Sequence, residues 1–292
     1  MTDAGGKQEI AIIGLGLMGG SMALALKKTG GYLITGYSPG AETRRAASKA
    51  GALDHMAGSA AEAVRNADIS FFCAPPNAVI DEIRACAAFF KPGSVVSEVC
   101  GVKEEVFREI TASLPAGVSY VGVHPMAGKE RGGFANADEN LYKNAGFILM
   151  YADDCPEESV RAIERLIRDL GSERVCRNTP AEHDRIIAYT SDLMHVASAA
   201  LCRQYAAGMT LAHTAGAFRD CTRVADIDAG LWTELLLMNA RHVAPVLGEY
   251  IRNLTDFKAA LEHGYEGAVY GFLKTAGDNK RKINALKGVE QI

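Results

Sequence analysis

A histidine stands directly after an apolar run, in the segment His124-Pro125-Met126-Ala127-Gly128. The run at residues 119–123 predicts a β-strand, so we expect His124 at the C-terminal tip of that strand. Ligands of open α/β sheets bind at this edge. Because an imidazole titrates near neutral pH, His124 is a candidate general base facing a bound ligand.

A glycine-rich turn, Gly14-Leu15-Gly16-Leu17-Met18-Gly19, joins the first predicted strand to the first predicted helix. Gly14 permits a tight turn, Gly16 lets a pyrophosphate approach the backbone, and Gly19 lets the helix pack on the strand. The phosphates then bind free N–H groups at the helix start, around Leu17 and Met18. The turn and its flanking elements predict a dinucleotide cofactor, NAD or NADP.

The residue after the second predicted strand bears on the choice between these cofactors. An acidic residue there would bind the ribose of NAD, but this chain has Ser38, with Arg44 and Arg45 close behind. A serine does not repel a 2′-phosphate, which favours NADP or the use of both cofactors. The alternative is that the two arginines form a solvated helix face. Cys73 and Ala74, at the end of a later predicted strand, are further candidate cofactor contacts.

The elements that position these residues alternate between short β-branched or apolar runs and helical stretches, up to about Arg177. Strands are predicted at residues 9–13, 32–37, 69–73, 94–99, 119–123, 147–151 and 174–176. Helices are predicted at residues 17–29, 43–50, 78–89, 104–114 and 157–170. This alternation predicts an α/β fold, a Rossmann-type doubly wound parallel sheet that forms a dinucleotide-binding domain at residues 1–177.

The strand signal disappears after Thr179, and residues 178–292 are predicted to form an all-helical domain for substrate binding and dimerisation. The segment at residues 179–182 supplies an N-cap, a proline at the first helical position and an acidic first turn. A long apolar helix is expected to follow, to about Tyr205. Later helices are predicted to break at five glycines: Gly208, Gly216, Gly230, Gly264 and Gly277. Because so much of this part is apolar, we expect a homodimer.

Composition excludes several classes of protein. The net charge of -4 gives no argument for nucleic acid or a membrane surface as a partner. The N-terminus lacks the apolar core of a signal peptide, and no apolar run approaches the roughly 18 residues of a membrane span. The seven scattered cysteines form no Cys-x-x-Cys pair and no metal-ligand spacing, so we expect reduced, mostly buried thiols and no bound metal. A cytoplasmic protein is the resulting expectation.

Three motifs together give the chain a family resemblance. They are Gly14-x-Gly16-x-x-Gly19, then Val123-His124-Pro125-Met126-Ala127-Gly128-x-Glu130, then Ala217-Phe218-Arg219-Asp220-x-Thr222-Arg223 with Trp232 nine residues later. On these motifs the chain resembles the prephenate and arogenate dehydrogenases of tyrosine biosynthesis over nearly its whole length. The histidine and arginine motifs are much more specific than the glycine turn.

The resemblance implies an oxidative decarboxylation of a cyclohexadienol dicarboxylate. The C4 hydride passes to the nicotinamide, and the ring carboxylate leaves as carbon dioxide. The base that takes the C4 hydroxyl proton is then His124, and the cation that holds a substrate carboxylate is Arg223. The alternative for Arg223 is a surface ion pair with Asp220 or Asp226. Trp232 is interpreted as a pocket wall at most.

The predicted helix after Thr179 carries Asp192 and His195 three residues apart on one face. Relatives commonly have Ser-His-Leu-Pro-His here, so the resemblance implies that both side chains face the substrate. Lys129 and Glu130, in the loop after the catalytic histidine, join the implied substrate contacts. His183, beside Asp184 at the start of the helix, is interpreted as a structural or capping residue.

The chain departs from the family pattern at three positions. Gly101 stands where a serine usually orients the histidine, so another donor or a water must align His124. Asp192 replaces a histidine and is a poor neighbour for a dianion unless it is protonated, or paired with His195 or Lys129. Asp192 alternatively pairs with the ammonium group of arogenate. Lys129 replaces a common threonine, and its charge offsets Asp192. Prephenate is the expected substrate, and arogenate stays open.

Two other classes share parts of this pattern. The β-hydroxyacid dehydrogenases also join a dinucleotide domain to a helical one, but they rely on a lysine in the first long helix, and residues 181–205 contain none. A non-catalytic cofactor-sensing module would retain the glycine turn without a reason to place His124 and Arg223 in one cleft. Some relatives continue into a regulatory ACT domain. We expect none here, since the chain ends at Ile292, and feedback by tyrosine would then act at the active site.

Overall fold

The computed structural model describes residues 7–129, 131–204 and 206–286. Its first sheet has six strands: β1 (Gln8–Ile13), β2 (Tyr32–Tyr37), β3 (His55–Met56), β4 (Ile69–Phe72), β5 (Val95–Glu98) and β6 (Ser119–Tyr120). All neighbours are parallel, in the order β3-β2-β1-β4-β5-β6. The Rossmann-type sheet expected from the sequence is confirmed.

Helices cover both faces of this sheet: α1 (Leu17–Thr29), α2 (Ala41–Lys49), α3 (Ala60–Val64), α4 (Pro76–Cys86) and α5 (Glu104–Ser113). Alternate side chains of β1 enter different apolar clusters. Ile10 and Ile12 pack with residues of α1 and α2, whereas Ala11 and Ile13 pack with residues of α3, α4 and α5. Because both faces are buried, the strand is a continuous apolar run. The short elements β3 and α3 were not predicted, since two to five residues show no clear period.

A second sheet contains the segment that carries His124. Its strands are β7 (Gly122–Pro125), β8 (Gly146–Met150) and β9 (Arg174–Arg177), with α6 (Glu157–Asp169) between β8 and β9. Strand β7 is antiparallel to β8, and β8 is parallel to β9. The predicted single strand at residues 119–123 is therefore wrong. The chain leaves the first sheet after Tyr120, and His124 pairs with Ile148 within β7 rather than standing at a parallel strand's tip. One apolar run is compatible with both arrangements because both short strands are largely buried.

Beyond Arg177 the described residues form helices and no strand. Helix α7 (Pro180–Ile187) passes through a π-helical turn (Ala188–Asp192) into α8 (Leu193–Cys202). The remaining helices are α9 (Gly216–Thr222), α10 (Ala229–Met238), α11 (Ala240–Glu262) and α12 (Glu266–Asn284). Thr179 begins α7 with a capping box that includes Glu182, as the sequence of this segment predicted. Tyr205, the expected end of the long helix, lies outside the described residues.

The glycines of this part do not all break helices. Gly264, with a φ of 66°, follows the end of α11, Gly216 begins α9, and Gly208 lies in a turn. Gly230 and Gly277 instead lie inside α10 and α12, contrary to expectation. A glycine in a helix interior costs about 1 kcal/mol relative to alanine, which the rest of a long helix outweighs.

None of the helices in the described ranges is long and apolar enough to cross a membrane. The seven cysteines are free thiols, but the expectation that most are buried is wrong. Only Cys86 and Cys100 are buried, while Cys202 and Cys221 are exposed and the other three are half-buried. Both exposed thiols lie on helices of the second part, which leaves more side chains exposed than the sheet does.

Candidate active site

The glycine turn between β1 and α1 is tightly packed at its first and third glycines. Gly14 has a φ of 91°, and a Cβ there would lie 2.4 Å from the carbonyl oxygen of Cys73. A Cβ on Gly19 would lie 2.0 Å from the carbonyl oxygen of Gly14. Cys73 and Ala74 follow β4 at this same edge, where the Cys73 N–H donates to the carbonyl oxygen of Ile13 at 2.7 Å. Only glycine is compatible with these contacts.

The second glycine of the turn faces open space. A Cβ on Gly16 would meet no atom within 4 Å. Gly16 is also the N-cap residue of α1 and has no side chain that could accept from the first N–H groups, those of Leu17 and Met18. A phosphate at this helix terminus would supply the missing acceptor. The turn therefore suits the pyrophosphate of a dinucleotide.

Ser38 and Arg44 stand together after β2. Ser38 is buried, and the Arg44 guanidinium donates from Nη1 to the carbonyl oxygens of Ser38 at 2.5 Å and Pro39 at 3.0 Å. These bonds hold the guanidinium at the end of the strand, where the ribose of a cofactor on the glycine turn would lie. Arg45, the next residue, is exposed.

His124 is half-buried and contacts a second histidine from the helical part. Its Nδ1 lies 2.7 Å from Nε2 of His183, which is fully buried. The capping half of the interpretation of His183 is wrong, and its ring contacts the candidate base directly. Thr179, and not His183, caps the helix.

Asp184 continues the chain of hydrogen bonds that starts at His124. Its Oδ1 lies 2.7 Å from Nδ1 of His183. The same carboxylate accepts the backbone N–H groups of Lys103 at 2.8 Å and Glu104 at 2.9 Å. Those two amides stand at the start of α5, so the carboxylate is held by a helix N-terminus of the first part.

A buried ion pair lies directly behind this chain. The ammonium group of Lys103 and the carboxylate of Glu98 are both fully buried, and Nζ of Lys103 also donates to the carbonyl oxygen of Val123 at 2.8 Å. The hydroxyl of Tyr120 donates to Glu98 at 2.9 Å. The pair thus joins β5 to β7 immediately before His124.

Burial lowers the pKa of His124 well below its ordinary value, and His183 and Lys103 lower it further by charge repulsion. Burial also lowers the pKa of His183, and the hydrogen bond to Asp184 offsets part of this lowering. Both imidazoles are therefore neutral near pH 7. A neutral imidazole can accept a proton, which suits a general base.

Gly101 lies on the side of the other nitrogen of His124, Nε2. A Cβ on Gly101 would lie 3.9 Å from Nε2 of His124 and 3.6 Å from the side chain of Leu235 on α10. A serine hydroxyl at this position would reach toward Nε2, whereas glycine offers no group. The side chain that contacts the ring of His124 is that of His183, on the Nδ1 side.

His195, Trp232 and Arg223 form a second group of the predicted residues. The rings of His195 and Trp232 stack, with centroids 3.6 Å apart. Burial lowers the pKa of His195, and the charge of Arg223 lowers it further. Arg223 is exposed and begins a short turn that packs against α8. Trp232 and Leu235 are one turn apart on α10, so this helix connects the stacked pair to the residues beside Gly101.

Asp192 ends the π-helical turn and is buried. Its Oδ2 accepts from Nδ2 of Asn239 at 2.7 Å, and the same amide donates to the carbonyl oxygen of Asp184 at 3.0 Å. Burial raises the pKa of Asp192 to about 6, and the charge of Asp184 adds to this effect. Asn239 was not predicted, because the spacing within one helix does not show its partner on another.

Lys129 does not offset the charge of Asp192, contrary to expectation. Its ammonium group donates to Asp138 at 3.1 Å and to the carbonyl oxygen of Asn136 at 3.2 Å, within its own loop. An exposed lysine can pair with a nearby carboxylate while its ammonium group stays in contact with water. Glu130 lies outside the described residues. Among those described, no three His, Cys, Asp or Glu side chains are grouped as metal ligands.

Two family models match most of the chain. The model described as "Prephenate dehydrogenase, nucleotide-binding domain" matches residues 22–176. The model described as "Prephenate dehydrogenase, dimerization domain" matches residues 179–275. The two matches meet close to the end of β9.

Individual proteins of this family are similar to most of the chain. Prephenate dehydrogenase of Bacillus subtilis (strain 168) is 30% identical over 279 residues, which are 93% of this chain and 75% of the relative. Cyclohexadienyl dehydrogenase of Zymomonas mobilis is 29% identical over 261 residues, 87% of this chain and 88% of the relative. The structure of prephenate dehydrogenase from A. aeolicus with hydroxyphenyl propionate and NAD+ superposes with a TM-score of 0.85 at 24% identity, over 96% of this chain and 100% of that one. At this identity the superposition shows a shared fold.

Proposed function

The chain belongs to the prephenate dehydrogenase family, and on this premise we propose that it converts prephenate to 4-hydroxyphenylpyruvate with NAD or NADP as oxidant. A bound nicotinamide supplies the acceptor for the C4 hydride of the substrate. The ring carboxylate leaves as carbon dioxide, and its bonding electrons make the ring aromatic. What the protein must add is a base for the C4 hydroxyl proton and a fixed cation for an anionic substrate.

The placement of the His124 imidazole, in contact with His183, is the single observation that carries this proposal. Its Nδ1 is engaged by His183, and its Nε2 lies on the side of Gly101. A C4 hydroxyl placed next to Nε2 would give its proton to this nitrogen as the hydride departs. General-base catalysis of this kind contributes about a hundredfold or more to the rate.

We assign the substrate carboxylate to Arg223, because a guanidinium is a permanent, bidentate partner for carboxylates. The stacked pair of His195 and Trp232 forms a wall of the pocket next to it. The turn that begins at Arg223 packs against α8, the helix that carries His195. This grouping gives one end of the substrate a cation and an aromatic surface.

The use of NADP as well as NAD is proposed from the residues after β2. Ser38 carries no charge that would repel a 2′-phosphate, and Arg44 is held beside it by two hydrogen bonds. A guanidinium at this place would attract the added phosphate. We expect activity with both cofactors.

Arogenate is a second candidate substrate, favoured by Asp192 alone. Above a pH of about 6 this carboxylate is ionised, and it would attract the ammonium group of arogenate, which prephenate lacks. Below that pH the neutral carboxyl tolerates a dianion. The ratio of kcat/KM for arogenate over prephenate should therefore rise with pH if Asp192 touches the substrate.

The helical part is also proposed to form a homodimer. Helices α11 and α12 expose large apolar side chains, among them Leu254, Leu261, Tyr270 and Leu273, each at least half exposed. A second copy of this chain would cover such a surface. The match to a dimerization domain supports this assignment.

The test of the function is a turnover assay of the purified protein with prephenate and arogenate, each with NAD and NADP. We expect reduced cofactor and 4-hydroxyphenylpyruvate from prephenate. Tyrosine formed faster from arogenate would favour the second candidate, and comparable rates with both cofactors would support the assignment of Ser38 and Arg44. No turnover in any of the four combinations would refute the proposal.

A further inference from the structure

The contact between His124 and His183 joins the two parts of the chain at the ring of the proposed base. We propose that His183, held by Asp184, is the positioning residue that fixes the tautomer and orientation of His124, in place of a side chain at Gly101. The inference rests on the proposed role of His124 as the base. His183 acts on the reaction through the ring of His124 and does not touch the substrate.

The direction of each hydrogen bond follows from the carboxylate at the end of the chain. Asp184 accepts two backbone N–H groups of α5, so it is fixed in place and acts as an acceptor toward His183. His183 must then carry its proton on Nδ1, which leaves Nε2 as an acceptor. His124 donates to that acceptor from Nδ1, at 2.7 Å. The remaining nitrogen of His124, Nε2, is left unprotonated.

The unprotonated nitrogen is the one on the side of Gly101. A Cβ on Gly101 would lie 3.9 Å from Nε2 and 3.6 Å from the apolar side chain of Leu235. Neither residue has a side-chain donor that could hold the ring at Nε2. The ring's orientation therefore depends on the bond at Nδ1.

The same hydrogen bonds are present before and after proton transfer. When Nε2 of His124 gains a proton, Nδ1 still donates to His183, and no group has to turn. The charged and titratable groups around the two rings are Lys103, which disfavours the imidazolium, and Asp184 and Glu98, which favour it at His183. The base can thus gain and lose a proton without rearrangement of the chain of hydrogen bonds.

The first test reads the tautomer directly in the protein without substrate. In ¹⁵N NMR of histidine-labelled protein, with His124 assigned by its loss in His124→Asn, we expect a neutral ring protonated on Nδ1. His183→Leu removes the acceptor and should move the proton to Nε2. His183→Gln places an amide oxygen where Nε2 stood and should retain the Nδ1 proton. A wild-type His124 that is protonated on Nε2 would overturn the proposal, whatever the variants do.

The second test separates positioning from a merely structural role. His183→Leu should lower kcat on prephenate by about a hundredfold with little change in KM, and it should shift the acid limb of the kcat profile. His183→Gln should recover part of kcat, while His55→Gln, at an exposed histidine on β3, is the matched control. Equal kcat and an unmoved profile in His183→Leu would contradict the inference. If the wild type shows no turnover, the proposed function fails and the tautomer measurement still decides the role of His183.

Discussion

At the scale of single residues, the site combines groups whose charge is controlled by burial. His124 and His183 are kept neutral, and Asp192 is kept partly protonated near pH 6. Each shift has burial as its main cause, since water no longer stabilises the charged form. A protein that must take a proton from a substrate hydroxyl benefits from a base that is neutral.

Asp192→Asn is expected to stabilise the protein at neutral pH. The pKa of the carboxyl is about 6 in the folded chain and 3.8 unfolded, so the folded state binds more protons between these values. The free energy of unfolding of the wild type therefore falls as pH rises through this window. The variant keeps an acceptor for Asn239 and should exceed the wild type by about 2 to 3 kcal/mol at pH 8.

Urea denaturation at pH 4 and pH 8 measures this difference. The gain from Asp192→Asn should be small at pH 4 and large at pH 8. Asp81→Asn, at a side chain that is 78% exposed, is the control and should change little at either pH. A gain that is the same at both pH values would mean that Asp192 is not the group responsible.

Arg223→Ala is expected to raise KM for prephenate by about tenfold or more and to change kcat less. A hydrogen-bonded partner for a carboxylate contributes about 1.5–3 kcal/mol, and it acts in the bound ground state as well as in the transition state. Steady-state kinetics, with Arg185→Ala on the exposed face of α7 as the control, measures the effect. Unchanged KM in Arg223→Ala would remove this residue from the site.

At the scale of elements, His124 is positioned by the connection between two sheets. The ion pair of Lys103 and Glu98 binds the end of β5 to the backbone of β7, and Asp184 binds the start of α5 to α7. The π-helical turn ends at Asp192, and such turns are frequent at functional sites. The site is therefore held by contacts between elements that are distant in the sequence.

Lys103→Met is expected to cost about 3–5 kcal/mol, because it leaves the buried carboxylate of Glu98 without its charged partner. The matched control is Arg161→Ala, which removes the exposed pair of Arg161 and Glu157 and should cost less than about 1 kcal/mol. Denaturant unfolding measures both. Equal costs would show that the buried pair has no special role in joining β5 to β7.

The sequence predicted the elements of the first part well where they are long. The parallel sheet and α1 follow from apolar runs and the glycine turn, and α1 has the predicted bounds. The separation of β6 from β7 could not be predicted, since both strands belong to one apolar run. Likewise the motif identified His124, whereas the role of His183 depends on a contact 59 positions away. Local pattern does not encode that contact.

At the scale of the whole molecule, residues of the sheet and of the helical part meet around His124. The turn that suits a dinucleotide lies in the first part, and Arg223, His195 and Trp232 lie in the second. The predicted division at residues 177 and 178 would place the substrate between the two parts, as is common for ligand sites at domain interfaces. That division and the cytoplasmic location stay predictions.

Sedimentation equilibrium is expected to give twice the chain mass of 31.1 kDa. Tyr270→Glu together with Leu273→Glu places two charges on the exposed apolar face of α12 and should shift the mass toward the monomer. Phe89→Glu, on the dinucleotide-binding part, is the control and should leave the mass unchanged. A monomeric wild type would refute the proposed dimer.

The role of His124 in prephenate oxidation is tested most directly by the kinetics of His124→Asn. Asparagine retains a polar side chain of similar reach but cannot take up the C4 hydroxyl proton. The account predicts that kcat falls by about a hundredfold or more, with little change in KM for prephenate or for the cofactor. Wild-type kcat in this variant, in protein shown to be folded, would contradict it.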